Sequence, residues 1–374
     1  MNFSTGTVPG LEPDLVFLRE LVELETPSLD AEASRRIAGI IAKRLESLGG
    51  KIQSVATDAG TSLVADFEGV GDPILLVGHT DTVWPTGTLA SELPWSERDG
   101  IIRGPGVYDM KSGIVVMCAA LRQLQQRSRN AVRIVLNCDE EIGSPSTRDM
   151  IKEAASGCRA AIGFESPHPD GALKLGRRGS TRIVVRVQGR SAHAALDPEN
   201  GISAIDELVD QLTDVRSFTS DPALPSPVLS NVGVISGGSR ANVVPERATA
   251  EIGLRFIESE SEHAVLSRLQ ALEPIRKGAT VEVETLSSRP AWLASEADKA
   301  LADAISSVGA SIGQNVAHRP AAGAGDTNLI GSLGIPTIDG FGPLGGGAHA
   351  LDEHIVASTM QERINLLTAV LTEL

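Results

Sequence analysis

The sequence predicts an α/β protein with a second, α+β module set into it. Two features carry that expectation. Short branched apolar runs at 74–77, 132–138 and 160–164 alternate with amphipathic helical stretches, and each ends in polar, mostly acidic residues. That is the pattern of buried strands in an open α/β sheet. Between 178 and 286 the order changes to strand, helix, two strands, helix, strand, which is that of a ferredoxin-like split βαβ unit.

Taken in order, Leu15, Leu18, Leu21, Val22 and Leu24 mark a helix that stops near Thr26-Pro27-Ser28. Ile37, Ile40, Ile41, Leu45 and Leu48 mark a second, stopped by Gly49-Gly50. Strands follow over 62–67 and 74–77, and the latter ends in Gly78-His79-Thr80-Asp81. On a strand, residues two apart share a face, so His79 and Asp81 point the same way. A carboxylate orients a metal-ligating imidazole in that arrangement, although His-x-Asp taken alone also suits a surface turn. The turn-rich stretch 84–95 reads as a loop over the site. A tight glycine and proline loop, 104–113, precedes a helix over 114–124 and carries Asp109, which on local grounds reads equally as a helix N-cap.

The strand 132–138 ends in Asp139-Glu140-Glu141, three consecutive acids that repel one another unless a cation or solvent relieves them. The strand 160–164 ends in Glu165. Three strand ends therefore supply candidate ligands, at the edge of the sheet where open α/β proteins gather theirs. In the α+β module the strands read as 181–187, 232–235, 249–256 and 280–286, with helices over 201–212 and 261–272. Beyond it come a helix over 295–308, a Gly-rich stretch, a strand near 335–338, the loop Gly345-Gly346-Gly347-Ala348-His349 and a last helix ending near Leu374.

Composition narrows the function. The 374 residues are ample for two domains, and 41% apolar with 22% charged residues is ordinary for a globular protein. A formal charge of −15 argues against nucleic acid or an anionic membrane as partner. Cys118, Cys138 and Cys158 are too few and scattered for a disulfide framework or a sulfur-rich metal site. The residues Met-Asn-Phe-Ser-Thr-Gly at positions 1–6 lack a basic start and an apolar region, so a cytoplasmic protein is expected.

The ordered motifs GHTDTVWP (78–85), GPGVYDMKSG (104–113), NCDEEIGS (137–144), GFES (163–166), GRSAHA (189–194), NVVP (242–245) and GGGAHALDEH (345–354) resemble a known family. It is that of the two-zinc metallopeptidases and amidohydrolases: glutamate carboxypeptidase of the carboxypeptidase G type, acetylornithine deacetylase, succinyl-diaminopimelate desuccinylase and aminoacylase. The wording is most similar to the glutamate carboxypeptidase branch. The resemblance implies a zinc-peptidase-like α/β/α catalytic domain from 1–177 and 287–374, with a ferredoxin-like lid and dimerisation domain from 178–286. It implies two zinc ions per chain, with cobalt or manganese as substitutes. His79 and Glu165 would hold one, Glu141 and His349 the other, and Asp109 would bridge both across a cis Asp109-Met110 peptide.

Asp81 would then orient His79, and Glu140 would be the general base. His193 would stabilise the oxyanion, typically in the partner subunit's site, and Asn242, Arg255 and Arg289 would bind substrate. Gly253 stands where the family usually has an acid, two positions before Arg255. His168, His263, His318 and His354 match no ligand position and read as structural or surface residues. The implied reaction is hydrolysis of an amide in a small N-acyl amino acid or dipeptide-like substrate, releasing an amino acid with a free α-carboxylate. Glutamate or aspartate is the expected leaving group. The alternatives are an N-acetyl- or N-succinyl-amino-acid deacylase and, in another class, a catalytically silent ligand-binding protein. A homodimer through the lid domain is expected.

Overall fold

The structure of the chain is a computed structural model that describes residues 10–125 and 127–374. Residues 1–9, with which the expected catalytic segment begins, and Gln126 lie outside the described residues. The chain divides into two compact units, one running up to Gly176 and resuming over Ala294–Ala321 and Gly325–Leu374, the other made of Arg177–Leu293 and Ala322–Ala324. The second unit passes the boundary expected at 286 because the strand Thr280–Arg289 continues beyond a register shift between Thr285 and Ser287.

The first unit is built on a six-stranded sheet in the order Lys51–Thr57, Gly60–Phe67, Asn130–Asn137, Val70–His79, Ala160–Gly163, Thr337–Ile338. The first two strands form an antiparallel hairpin, and Gly60–Phe67 also runs antiparallel to Asn130–Asn137. The remaining pairs are parallel. Register then sets the site: His79 lies opposite Asn137, and Val77 opposite Gly163. The residues that follow these three strands therefore emerge at one edge.

Helix Ser112–Gln123 is apolar round most of its circumference because it lies inside the unit, with Ile114, Val115, Val116, Met117 and Leu121 all buried in the core. Burying a side chain of this size stabilises the fold by roughly 1.5–3 kcal/mol. The same core takes Met360, Ile364, Leu367, Val370 and Leu371 from the C-terminal helix Ala357–Glu373. Two glycines permit a close approach at the loop that carries Asp109. A Cβ on Gly78 or on Gly113 would come within 2.6 Å of the Met110 Cε.

Asp109 is not a helix cap. Lys111 holds the N-cap position of Ser112–Gln123, no side chain caps that helix, and Asp109 is the middle residue of the wide turn Val107–Lys111 that leads into it. The Asp109-Met110 peptide bond is cis. The sequence did not announce the strand Lys51–Thr57, the short hairpin Ser96–Arg98 with Ile101–Arg103, the helices Arg148–Ala155 and Asp326–Ser332, or the short strands Leu173–Arg177, His318–Ala321 and His354–Val356.

The second unit is a four-stranded antiparallel sheet in the order Leu229–Gly237, Arg247–Phe256, Gly179–Gln188, Thr280–Arg289, with helices Ala204–Thr219 and Ser259–Gln270. In chain order these strands are second, third, first and fourth, the ferredoxin-like arrangement. It has its own core, in which Ile183, Val185, Ile252, Leu254 and Phe256 meet Leu208, Val265 and Leu269. Leu229–Gly237 is an edge strand exposed along its whole length. No helix among the described residues is long and apolar enough to cross a membrane.

Candidate metal centre and active site

His79 closes the strand Val70–His79 and is 1% exposed. Its Nδ1 lies 3.0 Å from the Asp81 carbonyl oxygen and 3.3 Å from Asp81 Oδ1. Its Nε2 faces the other way, 3.2 Å from Asp109 Oδ1 and 3.4 Å from Glu165 Oε1. His349, on the loop before the strand His354–Val356, places Nε2 at 3.4 Å from Asp109 Oδ2 and 3.2 Å from Glu141 Oε2. The two oxygens of Asp109 thus address two different imidazoles, each of which has a second carboxylate beside it.

Asp81 does more than face His79. Its Oδ1 accepts the Glu140 N–H at 3.1 Å, and its Oδ2 accepts the Glu141 N–H at 3.1 Å and the Ser28 hydroxyl at 2.6 Å. One buried carboxylate therefore fixes the acidic turn Glu140–Ile142 as well as the histidine. Asp139 is held apart from the cluster: it accepts from the Ser146 N–H and the Thr147 hydroxyl, bracing the start of helix Arg148–Ala155.

The charges show how tightly this group is coupled. Burial alone would lower the His79 imidazole, but the carboxylates of Asp109, Asp81 and Glu165 hold it well above its ordinary value. Asp109 and Glu141 raise His349 to about 10. Burial works to raise Asp109, yet the two imidazoles hold it well below the usual carboxylate range. Burial and the charge of Asp109 push Glu141 up.

The donor set fits divalent cations. His79, Asp109 and Glu141 offer ligand atoms within 4.8 Å of one another. Glu141 Oε1 is buried and meets no hydrogen-bond donor. Imidazole and carboxylate are ligands that borderline-soft cations such as zinc accept, and a shared carboxylate is what two neighbouring ions require.

The other expected site residues lie in the second unit. His193 is exposed, and its Nδ1 accepts the Ala195 and Leu196 N–H groups, both at 3.2 Å, which leaves the ring proton of the neutral form on Nε2. Asn242 is brought beside it, its carbonyl accepting the Ala194 N–H at 3.0 Å while His193 and Val243 pair as a short bridge. Arg255 directs one guanidinium nitrogen to the Leu254 carbonyl at 2.9 Å, and Arg289 ends the strand Thr280–Arg289 opposite Ser180. Of the remaining histidines, His168 meets the Arg319 carbonyl, His318 meets Asp303 and His354 meets the Asp352 carbonyl.

Some residues in the first unit escaped the sequence reading. Glu353 is fully buried and accepts the Gly106, Tyr108 and Asp109 N–H groups together with the Trp84 indole N–H. Glu25 accepts the Gly87 and Leu89 N–H groups, which holds the 84–95 loop. Lys111 is 1% exposed and donates to the Leu24 carbonyl at 2.9 Å. Burial pulls its ammonium down to about 7, against the opposing charges of Glu353, Glu25 and Asp81. Lys111 and Glu353 lie inside the motifs GPGVYDMKSG and GGGAHALDEH, but nothing in the sequence marks these residues or Glu25 for a part, and it is burial in the folded chain that distinguishes Lys111 and Glu353.

A sheet edge with paired histidine–carboxylate sets around one aspartate defines a metal-dependent hydrolase framework. Residues 75–373 match the model of peptidase family M20/M25/M40, and the chain belongs to that family. It is 28% identical to carboxypeptidase G2 of Pseudomonas sp. (strain RS-16) over 96% of this chain and 88% of that protein. It is 26% identical to a succinyl-diaminopimelate desuccinylase of Caulobacter sp. (strain K31), over 98% of both. Among solved structures, the fold is shared with aminopeptidase PepT from Bacillus cereus (TM-score 0.76, 21% identity, 97% of this chain and 98% of that one). It is shared too with the M20 family metallo-carboxypeptidase Sso-CP2 from Sulfolobus solfataricus (TM-score 0.72, 18% identity, 96% and 98%).

Proposed function

We propose that the chain is a di-metal hydrolase of the glutamate carboxypeptidase type, cleaving an N-acyl or N-aroyl amino acid to release glutamate or aspartate. The observation that carries the two-ion reading is the single aspartate whose two oxygens face His79 and His349 separately. His79 and Glu165 would hold one ion and Glu141 and His349 the other, with Asp109 shared between them; zinc would suit the donors best, with cobalt or manganese as substitutes. Bound there, the cations supply Lewis acidity and an acidified water.

The chain's own residues do the rest. Glu140, whose backbone is fixed by Asp81, accepts the water's proton and passes it to the nitrogen of the leaving amino acid. The Nε2–H of His193 donates to the developing oxyanion, with Asn242 beside it. A planar guanidinium, that of Arg289 with Arg255 as the second candidate, suits bidentate binding of the substrate's α-carboxylate. The full-length relation to a desuccinylase favours one rival, a deacylase for small acyl groups.

A panel of acetyl, succinyl, aroyl and folyl amides of glutamate, aspartate, ornithine and alanine, run on metal-reconstituted protein, separates these readings. Aroyl- or folyl-glutamate is expected to give the highest kcat/KM. Preference for the acetyl or succinyl amides would favour the deacylase, and no turnover of any amide by the metal-loaded chain would favour a binding protein.

We also propose a homodimer formed through the edge strand Leu229–Gly237, whose unpaired side and exposed Leu229, Val234 and Ile235 suit pairing with a second copy. His193 then serves the partner's centre. Mixing an inactive Glu140→Gln chain with an inactive His193→Ala chain is expected to restore part of the activity, because mixed dimers contain one centre with both residues intact. Mixed dimers confirmed by native mass spectrometry but still inactive would place His193 within its own chain's site.

A further inference from the structure

Glu353 lies four residues after His349 and is 0% exposed, yet the proposed chemistry gives it no part. Its Oε1 accepts the Tyr108 N–H at 2.8 Å and the Asp109 N–H at 3.1 Å. Its Oε2 accepts the Gly106 N–H at 3.0 Å and the Trp84 Nε1–H at 2.6 Å. Four donors converge on one buried carboxylate, and removing the acceptor would leave buried N–H groups unsatisfied.

The backbone that presents Glu353 is itself fixed on both sides. Its N–H closes a turn onto the Ala350 carbonyl, and the next residue, His354, starts the strand that pairs with Ile101–Arg103. Gly347, in the left-handed region at φ 74°, lets the loop fold back, since a Cβ there would come within 2.7 Å of the Glu353 nitrogen. One side chain thus joins three segments: the loop after His79, the loop of Asp109 and the loop of His349.

We infer that Glu353 is a positioning residue, which holds the Asp109 carboxylate between the two imidazoles by gripping three N–H groups of its loop and tying that loop to Trp84. The inference rests on the di-metal reading above. Groups that orient metal ligands in this way typically change metal affinity or activity by ~10–100-fold when replaced.

The test is cobalt titration of the full chain, followed by visible absorption, with steady-state kinetics alongside. Glu353→Gln keeps the side chain's size but turns one of its two acceptor oxygens into a donor. It is expected to fold, to bind its second Co²⁺ about tenfold or more weakly than wild type, and to shift the cobalt absorption bands. Its kcat should fall while KM stays near the wild-type value. Asp14→Asn is the control for mere loss of a buried carboxylate interaction, because Asp14 pairs with Arg122 at 2.8 Å elsewhere in the same unit. It is expected to lower the melting temperature and leave cobalt affinity alone.

Trp84→Phe removes one donor only and should weaken cobalt binding in the same direction by a smaller factor. It decides the matter if the glutamine variant does not fold. Wild-type cobalt affinity and spectrum in a folded Glu353→Gln chain would overturn the inference, as would wild-type affinity in Trp84→Phe where the glutamine variant is unfolded. A wild-type chain that takes up no cobalt would instead sink the hydrolase reading, and this inference with it.

Discussion

Glu140→Gln is expected to retain both metal ions and near-normal substrate affinity while kcat falls by about 10²–10⁴-fold, the usual worth of a positioned general base. The substitution is nearly isosteric. Its backbone N–H still binds Asp81 Oδ1, so the turn that carries Glu141 keeps its place. What disappears is a carboxylate that is only 8% exposed, next in sequence to a residue that faces His349. A loss confined to kcat identifies an interaction made in the transition state alone. Elemental analysis and a full rate curve measure both halves of the claim. Intact metal with a kcat decline of less than about tenfold would assign the proton transfer to another group.

The strand ends were legible in the sequence because a buried parallel strand is an unbroken apolar run, and acids and a histidine at its end are conspicuous. Val70–His79, Asn130–Asn137 and Ala160–Gly163 therefore gave up His79, Glu140, Glu141 and Glu165 together. The second unit was legible through alternation, as in Arg247–Phe256, where every second side chain is buried. Lys51–Thr57 carries no such signal: nothing in it is fully buried, and it pairs at the sheet edge with its hairpin partner Gly60–Phe67. Helix Asp326–Ser332 is seven residues long within glycines, too short for periodicity to declare it. On local grounds Asp109 stood undecided between cap and ligand, and only the family resemblance made it a bridge, since it is the fold that brings His79 and His349 to its two oxygens. Glu353 shows the same limit most sharply. A glutamate among Asp352 and His354 looks solvated in sequence, and its burial follows from loops that meet only in three dimensions.

Asp109→Ala is expected to lose at least one metal ion and nearly all activity. Among the described residues Asp109 is the one carboxylate placed against both imidazoles, at 3.2 Å from His79 and 3.4 Å from His349. Without it His79 keeps Glu165 and His349 keeps Glu141, so on the proposed two-ion reading each ion would have two protein ligands instead of three. The change would also remove a negative charge that, on the same reading, would offset part of the repulsion between neighbouring cations. Ligand number and charge therefore fall together, and the more exposed position, that of His349, is expected to empty first. The fold should survive, because Glu353 grips the backbone N–H of residue 109 rather than its side chain. Metal content by elemental analysis, read beside a circular dichroism spectrum and an amide-hydrolysis assay, separates loss of ions from loss of structure. A folded alanine variant with its full metal complement would refute the bridging role, and with it the reason for placing two ions at this sheet edge.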